Sequence, residues 1–277
     1  MRLVAQLVAV VAVAFLGSMV TGALQGNAIG TLVGGLASAA LMIFVYARVV
    51  RWTERRAPVE VAGRIAPSAL ARGLLIGVGM FSLVVLNLWL VGFYRVEGLG
   101  SIEGAMALVG FMAAAAVWEE LVFRGVLFRI AEQRIGTWWA MGLTALLFGL
   151  MHLPNQDASL WGAIAIAIEA GLMLAAAYVA TRNLWVPIGI HFGWNWAGSG
   201  IFSTVISGNG ENQGLIDSVI SGPALITGGE FGPEASPNAV LIGLLITAGF
   251  MWLARRRGNV IPRRGRVKAA EPAMVAK

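Results

Sequence analysis

Trp118-Glu119-Glu120-Leu121-Val122-Phe123-Arg124-Gly125 places two carboxylates and a guanidinium inside an apolar run that extends from Glu103 to Phe128. A run of that length reads as a membrane helix. Ionisable groups at bilayer depth cost about 2.5–3.5 kcal/mol each even on insertion scales, so by default they mark a site. Outward from this run, two further polar patches lie in apolar surroundings. Phe148-Gly149-Leu150-Met151-His152 and His191-Phe192-Gly193-Trp194-Asn195 together hold both histidines of the chain.

The 277 residues are 58% hydrophobic and 12% charged, with a mean hydropathy of +0.79, whereas a soluble domain is about one quarter charged. The apolar residues come in blocks near bilayer length, not in the short alternating segments of an outer-membrane barrel. Lipid leaves backbone groups no partners but their own, so the expected fold is all-α, a polytopic bundle of about eight helices. The spans are expected at 3–24, 29–49, 70–94, 103–128, 138–152, 160–181, 185–206 and 239–254. Residues 1–254 form one transmembrane domain, and 255–277 a basic cytoplasmic tail expected to be disordered. The first span is read as a retained helix, since its apolar run is long for a signal-peptide core. Gly30 with Gly34 and Gly73 with Gly77 give small-xxx-small faces for close helix packing. The absence of cysteine excludes disulfides, thiolate metal sites and a cysteine nucleophile.

Where the charges lie sets the expected orientation. Arg48, Arg51, Arg55, Arg56, Arg64 and Arg72 surround the second connection, Arg129 and Arg134 the fourth, and Arg182 the sixth; the tail adds Arg255, Arg256, Arg257, Arg263, Arg264, Arg266 and Lys268. With alternating helices all of these fall on one face, which the positive-inside rule makes cytoplasmic, with both termini inside. The net charge of +6 therefore points to anionic lipid at the membrane edge rather than to nucleic acid. The longest outer connection, 207–238, is rich in Gly, Ser, Pro and Asn and reads as irregular. Leu215, Ile216, Val219 and Ile220 within it have the spacing of one short surface helix.

Residues four apart share a helix face, so Glu120 and Arg124 are expected to pair as structural support. Adjacent residues differ by about 100°, so Glu119 points elsewhere, free to act as a general base. At about 1.5 Å per residue, Glu119 lies roughly 18 Å above residue 131, His152 roughly 21 Å above 138, and Asn195 roughly 16 Å above 184; His191 sits one turn lower. Glu119, His152, His191 and Asn195 are thus the candidate catalytic residues. Phe148, one turn before His152, is expected to orient its imidazole. Trp118, Trp194 and Trp196 are read as cavity wall or lipid contact. Glu169, another carboxylate within a span, has two open roles: lining the cavity or gating protons, or a buried hydrogen-bonded group.

Taken together, EExxxR (Glu119-Glu120…Arg124), FxxxH (Phe148…His152) and HxxxN (His191…Asn195) resemble the motifs of the CPBP family of intramembrane proteases, also called Abi or CAAX-protease-like proteins. The resemblance covers Trp118 to Trp196 and implies an eight-helix endopeptidase. In it Glu119 and His152 activate a water, and His191 and Asn195 stabilise the oxyanion. It implies a membrane-associated polypeptide as substrate, of CAAX type or a bacteriocin-like peptide. Metal-free catalysis is the preferred reading. The alternative is zinc held by Glu119, His152 and His191. Two other functions fit the same residues: a non-proteolytic immunity or scaffold protein that binds a partner in the polar pocket, and a proton-coupled transporter.

Overall fold

The computed structural model describes residues 1–210 and 213–263. Among these, eight long helices follow one another. They are α1 (Arg2–Ala23), α2 (Ala28–Glu54), α3 (Ala66–Leu90), α4 (Ile102–Ile135), α5 (Thr137–Met151), α6 (Leu160–Thr181), α7 (185–201) and α8 (Pro237–Arg256). Six of them, α1 to α4, α6 and α8, are long and apolar enough to cross a bilayer. The expected eight spans thus become six that meet that standard. The other two, α5 and α7, carry the histidines. At about 1.5 Å per residue, the 15 residues of α5 reach only about 22 Å, short of the ~30 Å hydrocarbon core.

Close packing rests on glycine at two crossings. A Cβ at Gly73 or Gly77 would lie 2.4 Å from Val186 O or 2.1 Å from Ile190 O, so α3 and α7 meet backbone to backbone. The second crossing differs from the sequence expectation. A Cβ at Gly34 meets only the Leu24 and Val20 side chains, whereas one at Gly35 would lie 2.1 Å from Gly110 O, which makes Gly35 the α2–α4 contact.

The outer connection also departs from expectation. Ile216–Ile220 is a strand (β2), paired antiparallel with Tyr94–Leu99 (β1) in the register Tyr94↔Ile220 and Leu99↔Ile216. A five-residue helix has too few internal bonds to offset its nucleation cost, whereas β-branched Ile216, Val219 and Ile220 suit a strand once a partner edge is at hand. The same connection then turns back into the bundle: Phe231, Glu234, Ala235 and Ser236 are all buried. At the opposite end, residues 257–263 of the basic tail are docked. Thr137 N donates to Ile261 O at 2.9 Å and Asn259 Nδ2 to Val179 O at 3.0 Å. Arg182 donates to Asn259 O. Glu211 in the outer connection and Arg264, Arg266 and Lys268 in the tail lie outside the described residues.

Candidate active site

The site begins where α4 changes its winding. Leu121–Phe128 is a π-helical segment; π-type turns loosen the regular backbone ladder and occur often at functional sites. Arg124, 1% exposed, projects from this segment. Its Nη1 donates to Glu120 Oε1 at 2.7 Å. Its Nη2 reaches the carbonyls of Ala170 (3.2 Å) and Gly171 (3.1 Å), which lie in the π segment Ala167–Leu172 of α6. The guanidinium also stands 4.6 Å from the centre of the Phe148 ring. A charge buried this deeply needs such a set of partners.

Glu120 has a second partner that helix spacing alone did not reveal. His191 Nδ1 lies 3.0 Å from the same Oε1, so the carboxylate bridges Arg124 and the imidazole. On the other side of that ring, Nε2 lies 3.8 Å from Glu119 Oε2, a contact too long for a hydrogen bond. Glu119 is 8% exposed and faces the bundle, and its Oε2 has no hydrogen-bond partner among the described residues.

His152 ends α5. Its Nδ1 lies 2.7 Å from Phe148 O. A carbonyl only accepts, so Nδ1 carries the hydrogen and Nε2 of the neutral ring keeps its lone pair. Phe148 is the hub of the cluster, with its ring centre 5.0 Å from His152, 6.0 Å from His191 and 5.0 Å from Phe123. His152, His191 and Asn195 line one cavity with Phe148, Glu169 and Trp194. It offers about 20 Å³ to a water-sized group, which exceeds the ~10–15 Å³ that one water needs. Asn195 is followed directly by the π segment Trp196–Ile201. Trp118 and Trp196 stay outside that lining; Trp196 Nε1 donates to Ala105 O at 3.2 Å.

Glu234 also lines the cavity, a role the sequence did not suggest. Trp194 Nε1 donates to its Oε1 at 2.6 Å. Ser207 N (2.6 Å) and Ser207 Oγ (2.9 Å) donate to its Oε2. Burial pushes the Glu234 carboxyl up, against these hydrogen bonds, which favour its ionised form. In sequence it is one acidic residue in a Gly- and Pro-rich connection, and only the return of that connection into the bundle brings it to the cavity.

Among the described residues no three His, Asp or Glu side chains converge to hold a metal ion. Glu119, His152 and His191 do not form such a set. Nδ1 of each imidazole is engaged, by Phe148 O and by Glu120, which leaves Nε2 as the nitrogen each ring can offer.

These features define a polytopic α-helical membrane protein whose buried carboxylates and imidazoles gather beside a connection that returns into the bundle. Residues 101–197, which contain all three motifs, match the family model described as Type II CAAX prenyl endopeptidase Rce1-like, a match that supports the resemblance to the CPBP, or CAAX-protease-like, family. Neither the comparison with curated proteins nor that with solved structures returns a match.

Proposed function

We propose that the protein is an intramembrane endopeptidase that hydrolyses a peptide bond of a membrane-associated polypeptide through a carboxylate-activated water. The observation that carries this reading is the meeting of two imidazoles from different helices on one aromatic ring, with Glu119 and Glu120 beside His191. Glu119 takes a proton from water as its oxygen bonds to the carbonyl carbon, and His152 Nε2 accepts a hydrogen bond from that water. The carbonyl oxygen gains the negative charge. His191 and Asn195 Nδ2 donate to it; Nε2 of His191 does so when the ring holds both protons, a state that the Glu120 carboxylate on Nδ1 supports. The C–N bond then breaks, and the proton held by Glu119 passes to the leaving nitrogen, so water is consumed and a carboxylic acid and an amine result. The likeness to the Rce1-like model supports a CAAX-type substrate over a bacteriocin-like peptide, and exposed Arg48, Arg51, Arg55, Arg255 and Arg256 suit anionic lipid at the membrane edge.

The test is cleavage of a membrane-tethered peptide by purified protein in lipid vesicles. The parent is expected to cleave and Glu119→Ala to show no turnover while melting as the parent does. Cleavage by that variant at the parent's rate removes Glu119 as the base. Elemental analysis of active protein decides the metal question independently: stoichiometric zinc, with activity lost on its removal, would replace the metal-free route.

A further inference from the structure

Glu169 is fully buried at 0% exposure, and neither of its carboxyl oxygens has a hydrogen-bond partner among the described residues. A buried polar group in that state loses its hydration with nothing in return, so it calls for a partner outside the chain. α8 does not provide one, since it closes on Glu169 with backbone: a Cβ at Gly243 would lie 2.6 Å from Glu169 Cα. The polar surroundings of Glu169 are those of the cavity it lines with His152, His191, Asn195, Ser207 and Glu234. Several groups there are already engaged. Glu234 accepts from Trp194 at Oε1 and from the N–H and hydroxyl of Ser207 at Oε2. Arg124 is held by Glu120 and by the carbonyls of Ala170 and Gly171. Nε2 of His152 stays open, because its Nδ1 donates to Phe148 O.

We propose that this cavity is the resting place of the attacking water and that Glu169 is the positioning residue that keeps the water there. The inference rests on the endopeptidase reading and deepens it. The free space of about 20 Å³ suits one water, and a buried water needs two to four polar partners. Phe148, Ile166, Met173 and Leu174, which form much of the wall, offer none. At rest the water donates one hydrogen to Nε2 of His152 and the other to a Glu169 oxygen. Glu119 stands outside this lining, so the water shifts towards it when substrate arrives. The hydrogen bond to His152 is kept, and the hydrogen that Glu169 held turns to Glu119, which removes it as the oxygen attacks. Glu169 thus acts through the water, without touching the substrate, and holds it in a part of the bundle that is otherwise apolar.

The experiment uses the full chain in lipid vesicles with a membrane-tethered peptide. Glu169→Leu is expected to lower kcat about 30-fold, the effect of losing one buried hydrogen bond, with KM unchanged and melting no lower than the parent's. Glu169→Gln keeps a hydrogen-bonding oxygen and is expected to restore kcat to within about threefold. Parental kcat in Glu169→Leu, or a Glu169→Gln as slow as Glu169→Leu, overturns the proposal. A readout without turnover accompanies it and decides the matter if Glu169→Leu melts early. The chain has two histidines, so ¹⁵N-histidine labelling resolves each ring. Magnetisation transfer from water to His152 Nε2 is expected in the parent and in Glu169→Gln and strongly reduced in Glu169→Leu, with transfer to His191 unchanged. Equal transfer to His152 in all three overturns the water site. Water contact at His152 that depends on Glu169, without cleavage of any peptide, keeps the water site and removes the endopeptidase reading. Cleavage with neither dependence removes the water site alone.

Discussion

The arginine-rich edge of the bundle and its interior both bury carboxylates beside arginines, but they satisfy them differently. At that edge Arg129 donates to Glu54 Oε2 (2.7 Å) and Gln6 Oε1 (3.0 Å), and Arg56 donates to Glu54 and to both oxygens of Glu60. Gln6 completes Glu54 Oε1 at 2.9 Å, and Tyr46 adds a bond to Glu60. Every carboxylate oxygen of Glu54 and Glu60 therefore has a donor. The hydrogen bonds to Glu60, then those to Glu54, raise Arg56 above its ordinary pKa, so its guanidinium stays charged across the accessible pH range. In the interior, Glu119 Oε2, Glu120 Oε2, Arg124 Nε and both oxygens of Glu169 lack hydrogen-bond partners among the described residues. A satisfied network holds helices together, whereas unsatisfied buried groups cost stability and point to a ligand or a reaction.

Mutations can break or sharpen that contrast. After Glu119→Ala, the largest effect is expected from His152→Ala, which should lower turnover of a tethered peptide by about 1,000-fold, within the usual range for a lost acid–base group, with little change in melting. Parental turnover would return His152 to the class of packing residues. Next, Arg129→Ala should leave Glu54 short of a partner and lower unfolding free energy by about 3–5 kcal/mol in detergent titrations. A parental midpoint would show that the edge network is dispensable. Arg124→Ala should behave in the same way and also disturb His191 through Glu120. If it alters neither stability nor activity, the bridge through Glu120 Oε1 has no energetic meaning. Asn195→Ala should reduce kcat by about 100-fold with KM little changed, as for a lost oxyanion donor. A rise in KM alone would move Asn195 to substrate binding. The smallest effect belongs to the surface: Arg255→Ser with Arg256→Ser should weaken retention of anionic lipid by about 1 kcal/mol per charge, read by native mass spectrometry, and leave cleavage intact.

The departures from expectation have separate physical causes. Leu215, Ile216, Val219 and Ile220 fit a helix by periodicity, but β1 supplies a partner edge from more than a hundred residues away. Gly34 and Gly35 differ by one residue, hence by about 100° around α2, and only the position of α4 decides which of them faces a neighbour. Glu120 and Arg124 are readable as a pair because their spacing is local. His191 completing that pair is not, since it stands 71 residues away.

The sequence by itself determined the helical membrane scaffold, its arginine-rich edge and the identities of the rare polar residues within it. Those features follow from hydrophobic length, from the cost of charge in lipid and from local helical spacing. Only the tertiary structure decided that Glu234 enters from the 207–238 connection, that Glu169 lines the histidine cavity with no hydrogen-bond partner among the described residues, and that Glu120 links Arg124 to His191. Each of these depends on which surfaces distant segments present to one another, and no local periodicity records that.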